Sequence, residues 1–209
     1  MYLPEIFAEE DRALALRVMR ENPLASIVTQ GAEIIANPIP TLVDDVGGAL
    51  AIRFHLAVRN QQCETLRDAS SCLLLFTGPN CYVSPSWYME HPNVPSWNYL
   101  SVHAYGTVEV LPESGLEELL TDLSRLHEKA VGGNWRYEEL PEAFRRELLA
   151  EIRGFRVRVT RLEAKAKLSQ NRTAEDRERV TRRLSDSADP SARAVGRWMV
   201  DKFFGGSKR

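Results

Sequence analysis

The sequence predicts a mainly β protein with peripheral helices, its strands arranged as a small antiparallel barrel. Three observations lead to that class. Short runs of β-branched and apolar residues recur along the chain, among them Leu24–Gln30, Ile34–Asp44 and Ala49–Val58. Brief turn signals separate them, at Gly31 and at Asp44–Gly48, a spacing that joins neighbouring strands most simply as hairpins. Helical patterns are set between strands without a β-α-β rhythm, which argues against a doubly wound parallel sheet.

Each element has its own signal. Asp11–Glu21 carries Leu14, Val18 and Met19 at helical spacing, and Asn22-Pro23 stops that helix because the residue before proline is pushed out of the α region. The three strand runs follow. Residues 60–70 then read as a short helix. Cys72–Phe76 is a near-continuous apolar run, as in a strand covered on both faces. Asn80–Asn98 mixes Pro85, Pro92 and Pro95 with two tryptophans and two tyrosines, the composition of an ordered loop. Tyr99–Leu111 reads as a long strand. Ser114 and Glu117 form a capping-box pattern, followed by Leu116, Leu119, Leu120, Leu123 and Leu126 on one helix face.

Gly132-Gly133 interrupts the helical section and Pro141–Arg153 resumes it. Next, Phe155, Val157 and Val159 alternate with Arg156, Arg158 and Thr160, so one strand face is apolar and the other basic. The apolar phase slips near Arg161 before Leu162, Ala164, Ala166 and Leu168 continue it; a β-bulge would restore the core face. Thr173 caps a helix with Val180 and Leu184, and Pro190 opens another with Val195, Trp198, Met199 and Phe203. The expectation is one domain over residues 1–209, with 174–209 as a helical C-terminal extension.

Composition narrows the class of function. With 209 residues, 44% hydrophobic and 27% charged, the chain is neither disordered nor collagenous. It has no apolar run long enough for a membrane helix and no signal-peptide pattern at its start, so no membrane partner and a cytoplasmic placement are expected. Cys63, Cys72 and Cys81 form no C-x-x-C pair and read as small buried hydrophobes. The net charge of −2 hides an asymmetry. Residues 1–150 hold 11 Lys and Arg against 21 Asp and Glu, whereas residues 151–209 hold 16 against 8. A basic C-terminal part suits nucleic acid, an acidic partner or a phosphate.

No G-x-G-x-x-G, Walker loop, G-x-S-x-G or H-E-x-x-H motif is present, and His55, His91, His103 and His127 are too widely spaced to imply a metal site. Three segments are chemically dense. In Arg53–Gln62, His55, Arg59 and Asn60 would place an imidazole, a guanidinium and an amide beside a helix start, an environment that suits a phosphate as well as an ordinary polar strand end. Gly78–Gly106 gathers aromatics among prolines, able to stack on a planar ring or to pack a subunit interface. In Lys165–Arg177, Lys165 and Lys167 share a strand face and the compact polar cluster Ser169, Gln170, Asn171, Arg172 follows.

At these segments the sequence resembles the PaiB family, described as FMN-binding negative transcriptional regulators. The family's M-Y-x-P-x-x-F stands here as Met1–Phe7, its G-P-x-x-Y-x-S-P-x-W-Y as Gly78–Tyr88, its V-P-T-W-N-Y-x-x-V-H-x-x-G as Val94–Gly106 with Ser96 in place of threonine, and its K-x-K-L-S-Q-N-R as Lys165–Arg172. The resemblance implies a flavin-binding split barrel, an antiparallel Greek-key barrel that is homodimeric with flavin at the subunit interface. It implies that His55, Arg59 and Asn60 lie near the phosphate, that Trp97 and Asn98 lie near the flavin, and that Lys167, Ser169, Gln170 and Asn171 complete the site. One departure stands out. Where the family has H-x-A-R-A-N-P, this chain reads His55, Leu56, Ala57, Val58, Arg59, Asn60, Gln61, moving the arginine by one position, which on a strand turns a side chain to the opposite face.

Three functions fit these readings. The resemblance implies an FMN-binding negative regulator that need not touch DNA directly, since no helix-turn-helix with a basic recognition helix is evident, although residues 174–184 are basic enough to meet a phosphate. The alternative is an enzyme, a flavin-dependent oxidoreductase of a small molecule, or a related haem-binding barrel using His55 or His103. A third is a barrel that has lost its ligand and serves as an interaction module.

Overall fold

A computed structural model describes residues 1–205. Among them, seven strands lie in one sheet: β1 Leu24–Gln30, β2 Ile34–Pro40, β3 Leu42–Val46, β4 Ala49–Ala57, β5 Ser71–Val83, β6 Ser96–Val110 and β7 Ile152–Lys167. Five α-helices accompany them: α1 Arg12–Glu21, α2 Glu113–Val131, α3 Glu142–Ala150, α4 Ala174–Ser185 and α5 Pro190–Phe203. The strand order is β2-β1-β5-β6-β7-β4-β3, and β1 with β2, β1 with β5, β3 with β4 and β4 with β7 pair antiparallel. The mainly β antiparallel class expected from the sequence is the one observed. No helix among the described residues is long and apolar enough to cross a membrane. Residues 206–209 of the expected C-terminal extension lie outside the described residues.

The chain divides into two compact units. One comprises Met1–Val18, Thr77–Val102 and Glu163–Arg209; the other comprises Met19–Phe76 and His103–Leu162.

The second unit holds β1–β4 and the helices α2 and α3. Its sheet curls because the two edge strands are consecutive in the chain, joined through Thr41, and β2 packs against β4. The corner is fixed locally: Thr41 is buried and both its N–H and its hydroxyl donate to the Pro23 carbonyl, at 2.9 and 2.8 Å. The expected single run Ile34–Asp44 is therefore two strands. Pro38 and Pro40 fall on an edge strand, where a missing N–H costs no second ladder. The core alternates as a half-buried strand requires: Ile52 and Phe54 of β4 and Phe155 and Val157 of β7 are fully buried, with the Phe54 and Phe155 rings stacked at 5.4 Å.

The outward face of β4 carries Arg53 under α2. Its side chain is 7% exposed and is clamped by Asp44 Oδ2 at 2.6 Å and Asp122 Oδ2 at 2.8 Å. The hydrogen bonds that Arg53 donates to Asp44, and then to Asp122, hold the guanidinium charged against its burial. Arg53→Ala leaves two carboxylates facing a cavity, and a loss of about 2–3 kcal/mol in urea unfolding is expected, since removing one partner of a buried pair strands the other.

α2 begins at Glu113, two residues before the capping box would place it, with Pro112 extended at the N-cap and no side-chain cap. Leu111 N–H is tied to the Gly154 carbonyl and Leu116 N–H to the Pro112 carbonyl, so the preceding strand bond sets the start and Ser114 is already helical. The expected helix at 60–70 is a single 3-10 turn, Gln61–Glu64.

In the first unit α4 and α5 pack together. The expected cap Thr173 accepts from Asp176 N–H, Pro190 opens α5 as expected, and Asp189 before it supplies the cap, accepting from Ser191 N–H. Val180, Leu184, Val195, Trp198 and Met199 are buried. β5 continues to Val83 and β6 begins at Ser96, so the loop expected over 80–98 is confined to residues 84–95. β7 is one strand through the phase change near Arg161, which falls where the chain passes from one unit to the other.

Candidate cofactor site

In the first unit the K-x-K-L-S-Q-N-R segment ends β7 and turns into α4. Ser169 takes a left-handed conformation at φ 65°, an uncommon one for a residue with a side chain. A buried amide holds it there. Asn98, 1% exposed on β6, donates from Nδ2 to Ser169 Oγ at 3.0 Å, and Ser169 Oγ lies 3.2 Å from Asn98 Oδ1 as a donor to it. Gln170 folds back on its own backbone, its Oε1 accepting from Leu168 N–H at 2.6 Å and its Nε2 donating to the Ala166 carbonyl. Asn171 is exposed.

Lys167 donates to Ser96 Oγ at 2.8 Å, and the next residue, Trp97, is 52% exposed with its ring edge-to-face against Tyr82 at 6.5 Å. Thus a cation, a hydroxyl and a half-exposed aromatic pair stand beside one rigid turn. Lys165, buried, donates to the Tyr2 carbonyl at 3.0 Å and lies between the Tyr2 and Tyr99 rings at 5.5 and 5.4 Å, which gives the N-terminal M-Y-x-P segment a packing role.

The Pro-rich loop is tied to the α4 side by arginines. Arg172 donates to Asn93 Oδ1 at 2.6 Å and covers the Tyr88 ring at 4.1 Å. Arg179 donates to the Trp87 carbonyl at 3.0 Å, Arg177 to the Arg172 carbonyl at 2.7 Å, and Asp176 accepts Met89 N–H at 2.8 Å. Much of the basic charge around this helix is therefore engaged within the unit.

The second unit holds the other three expected residues. Asn60 caps the 3-10 turn, its Oδ1 accepting from Gln62 N–H at 2.9 Å. The neighbouring Gln62 is fully buried and its amide reaches the Ile27 carbonyl, Thr29 Oγ1, the Ile35 carbonyl and Asn37, joining β1 and β2. Arg59 lies beyond the end of β4, so strand alternation does not govern it; its side chain is 88% exposed and 4.0 Å from Glu151. His55 faces the same side of β4 as Arg53, opposite Gly154, and its Nδ1 is buried with no hydrogen-bond partner among the described residues. Burial lowers its pKa from the ordinary 6.5. An imidazole held neutral brings a phosphate no charge.

That shift has a sign. The unfolded chain binds the His55 proton at a higher pH than the native chain does, so the native advantage is present above pH 6.5 and is lost as pH falls through the depressed native value. His55→Gln is expected to shrink the drop in urea midpoint between about pH 7.5 and about pH 5; an undiminished drop contradicts the assignment.

His103, the other histidine considered for haem, is partly buried with Nδ1 3.5 Å from Tyr105 Oη, and burial lowers its pKa. No cluster of three or more metal-ligating side chains occurs among the described residues. The three cysteines are free and buried, burial pushing the Cys72 thiol up to about 12 and Cys81 to about 11, so neither is poised as a nucleophile. Sequence reasoning left Tyr82 and Ser96 out of the site. Their signal was their place in the aromatic segment and, for Ser96, a hydroxyl retained where the family has threonine.

Comparison with known proteins gives this geometry its context. Residues 1–161 match the family model described as "Putative FMN-binding domain". The chain belongs to this FMN-binding domain family. It is 32% identical over 203 residues to the Protease synthase and sporulation protein PAI 2 of Bacillus subtilis (strain 168), covering 97% of this chain and 98% of that one, so the PaiB resemblance read from the motifs holds across the chain. Among solved structures, the FAD and heme binding protein from Mycobacterium smegmatis superposes with a TM-score of 0.58 at 19% identity, over 82% of this chain and 78% of that chain. The flavocytochrome Anf3 from Azotobacter vinelandii gives 0.57 at 15% identity, over 80% and 70%. The fold is of the flavin-binding split-barrel type.

Proposed function

We propose that this FMN-binding family member holds FMN beside the turn at Ser169, and that it acts as a homodimeric regulator rather than by reading DNA with its own helices. The observation that carries the first part is the buried Asn98–Ser169 pair, which fixes a strained turn next to Lys167, Ser96 and the exposed face of Trp97. That donor set suits a phosphorylated planar ring: Lys167 offers a charge, Ser96 a hydroxyl and Trp97 a stacking surface. Gln170 and Asn60, both occupied with backbone, act by shaping their turns. Asn171, exposed beside the turn, can reach a ligand, and Arg59, exposed and in loose contact with Glu151, can reach a second subunit. His55, held neutral in the second unit, lends a phosphate no charge. When bound, the flavin supplies the redox or sensing chemistry.

The engagement of Arg172, Arg177 and Arg179 with backbone and loop supports a regulator without direct DNA contact. Purified protein mixed with FMN is expected to acquire the visible flavin bands on the protein after gel filtration, at the elution volume of a dimer. Colourless protein after that treatment overturns the binding proposal, and a mobility shift of duplex DNA that persists at moderate salt overturns the indirect one. Flavin-binding relatives of the fold also accommodate an oxidoreductase; anaerobic bleaching of the bound flavin by a nicotinamide donor would select that reading.

A further inference from the structure

A hollow of about 390 Å³ opens in the second unit where α2 begins and α3 ends, within the size range of small-molecule sites. None of the residues assigned to flavin lines it. Its floor is aliphatic, made of Leu111, Leu116, Leu149 and Ile152, which belong to the small apolar core beneath the two helices. Gly154 forms part of the wall, and a methyl group there would stand 3.1 Å from Leu116 Cδ1 and 3.2 Å from Leu111 Cδ1. The bare glycine lets both leucines keep their places on the floor.

The rim is charged, with Arg146, Arg153 and Glu113. Arg146 is paired to Glu142 along α3. Arg153 is exposed and makes no ion pair among the described residues. It also borders a second hollow of about 420 Å³ that shares Val110 with the first, so its guanidinium stands between two openings. Glu142 neutralises Arg146, so Arg153 is the guanidinium at the mouth that is left to meet an anion above the apolar floor.

We infer that this hollow binds a small amphipathic carboxylate, its apolar body on Leu111, Leu116, Leu149 and Ile152 and its carboxylate on Arg153. The guanidinium fork matches a carboxylate in two parallel hydrogen bonds, and the aliphatic floor removes the hydrocarbon part from water. The ligand class follows from this charge and shape alone and is independent of the flavin.

Titration of the full chain with octanoate, followed by the methyl resonances of leucine and isoleucine, tests the site, with octanol as an uncharged match. Saturable shifts confined to Leu111, Leu116, Leu149 and Ile152 are expected. Arg153→Gln, at an exposed position, is expected to weaken octanoate by about tenfold while leaving octanol unchanged. Ala150→Trp, at the exposed lip, is expected to abolish the shifts caused by both compounds while resonances elsewhere stay in place. Octanoate shifts that do not saturate or that scatter over the surface, or equal octanoate affinity in Arg153→Gln, overturn the inference.

Discussion

Gly106→Ala is expected to destabilise the fold by about 3 kcal/mol or more, enough to lower soluble yield as well as the urea midpoint. The reason is a backbone contact. A Cβ at position 106 on β6 would stand 2.2 Å from the Arg158 carbonyl oxygen and 2.6 Å from Val157 Cγ1 on β7. A flexible side chain could rotate away, but a carbonyl cannot move without opening the adjoining strand. The glycine that closes the V-H-x-x-G motif is thus there because two strands approach too closely for any side chain. An alanine variant within about 0.5 kcal/mol of the parent would mean that β6 and β7 can separate at little cost.

Asn98→Ala should combine a stability loss with a binding loss. Removing the amide leaves the Oγ of Ser169, a residue 4% exposed, without its partner, and about 2 kcal/mol is expected, or roughly 4–8 °C in Tm for a chain of this size. The same change releases a turn held at positive φ. Ser169 can then relax, and the Lys167–Ser96 contact is no longer held at a fixed distance from it. FMN affinity is expected to fall more than tenfold. Ser169→Gly separates the two effects, since glycine accepts the left-handed conformation: the turn persists without the hydroxyl, and binding should be largely retained. Equal loss in both variants would assign the hydroxyl itself to the ligand.

The elements legible in the sequence are those whose own periodicity decides them. β1 and β4 alternate cleanly, α2 carries its leucine stripe, and the Thr173 cap and the opening Pro190 sit before apolar-periodic runs. The elements misjudged are those decided by distant partners. β5 runs through Gly78, Pro79 and Asn80, which read as turn residues. Pairing with β1 covers only Leu73–Leu75, so the N–H that Pro79 lacks breaks no bond of that ladder, and Gly78 fits because its Cα faces Leu100, whose Cβ would lie 3.0 Å from an added one. The capping box failed for a similar reason, since a strand bond from Leu111 to Gly154 fixes the chain just ahead of the helix.

The candidate site was legible as composition more than as geometry. Ser169, Gln170, Asn171 and Arg172 announced a polar cluster, and Trp97 with Asn98 announced a specific motif. No local pattern says that Gln170 turns back on Ala166 and Leu168, that Asn60 is occupied as a cap, or that the arginines around α4 grip the loop at Trp87 and Asn93 instead of facing solvent. Each of those facts depends on residues far apart in the chain meeting in three dimensions.

The central claim is that this chain binds FMN through the cationic turn of its first unit. Its most direct test is an equilibrium titration of FMN, by flavin fluorescence quenching, against the parent protein and Lys167→Met. Saturable quenching in the parent, weakened by tenfold or more in the variant while the unfolding midpoint stays within about 0.5 kcal/mol of the parent, is the predicted result. Indistinguishable binding curves for the two proteins would contradict it.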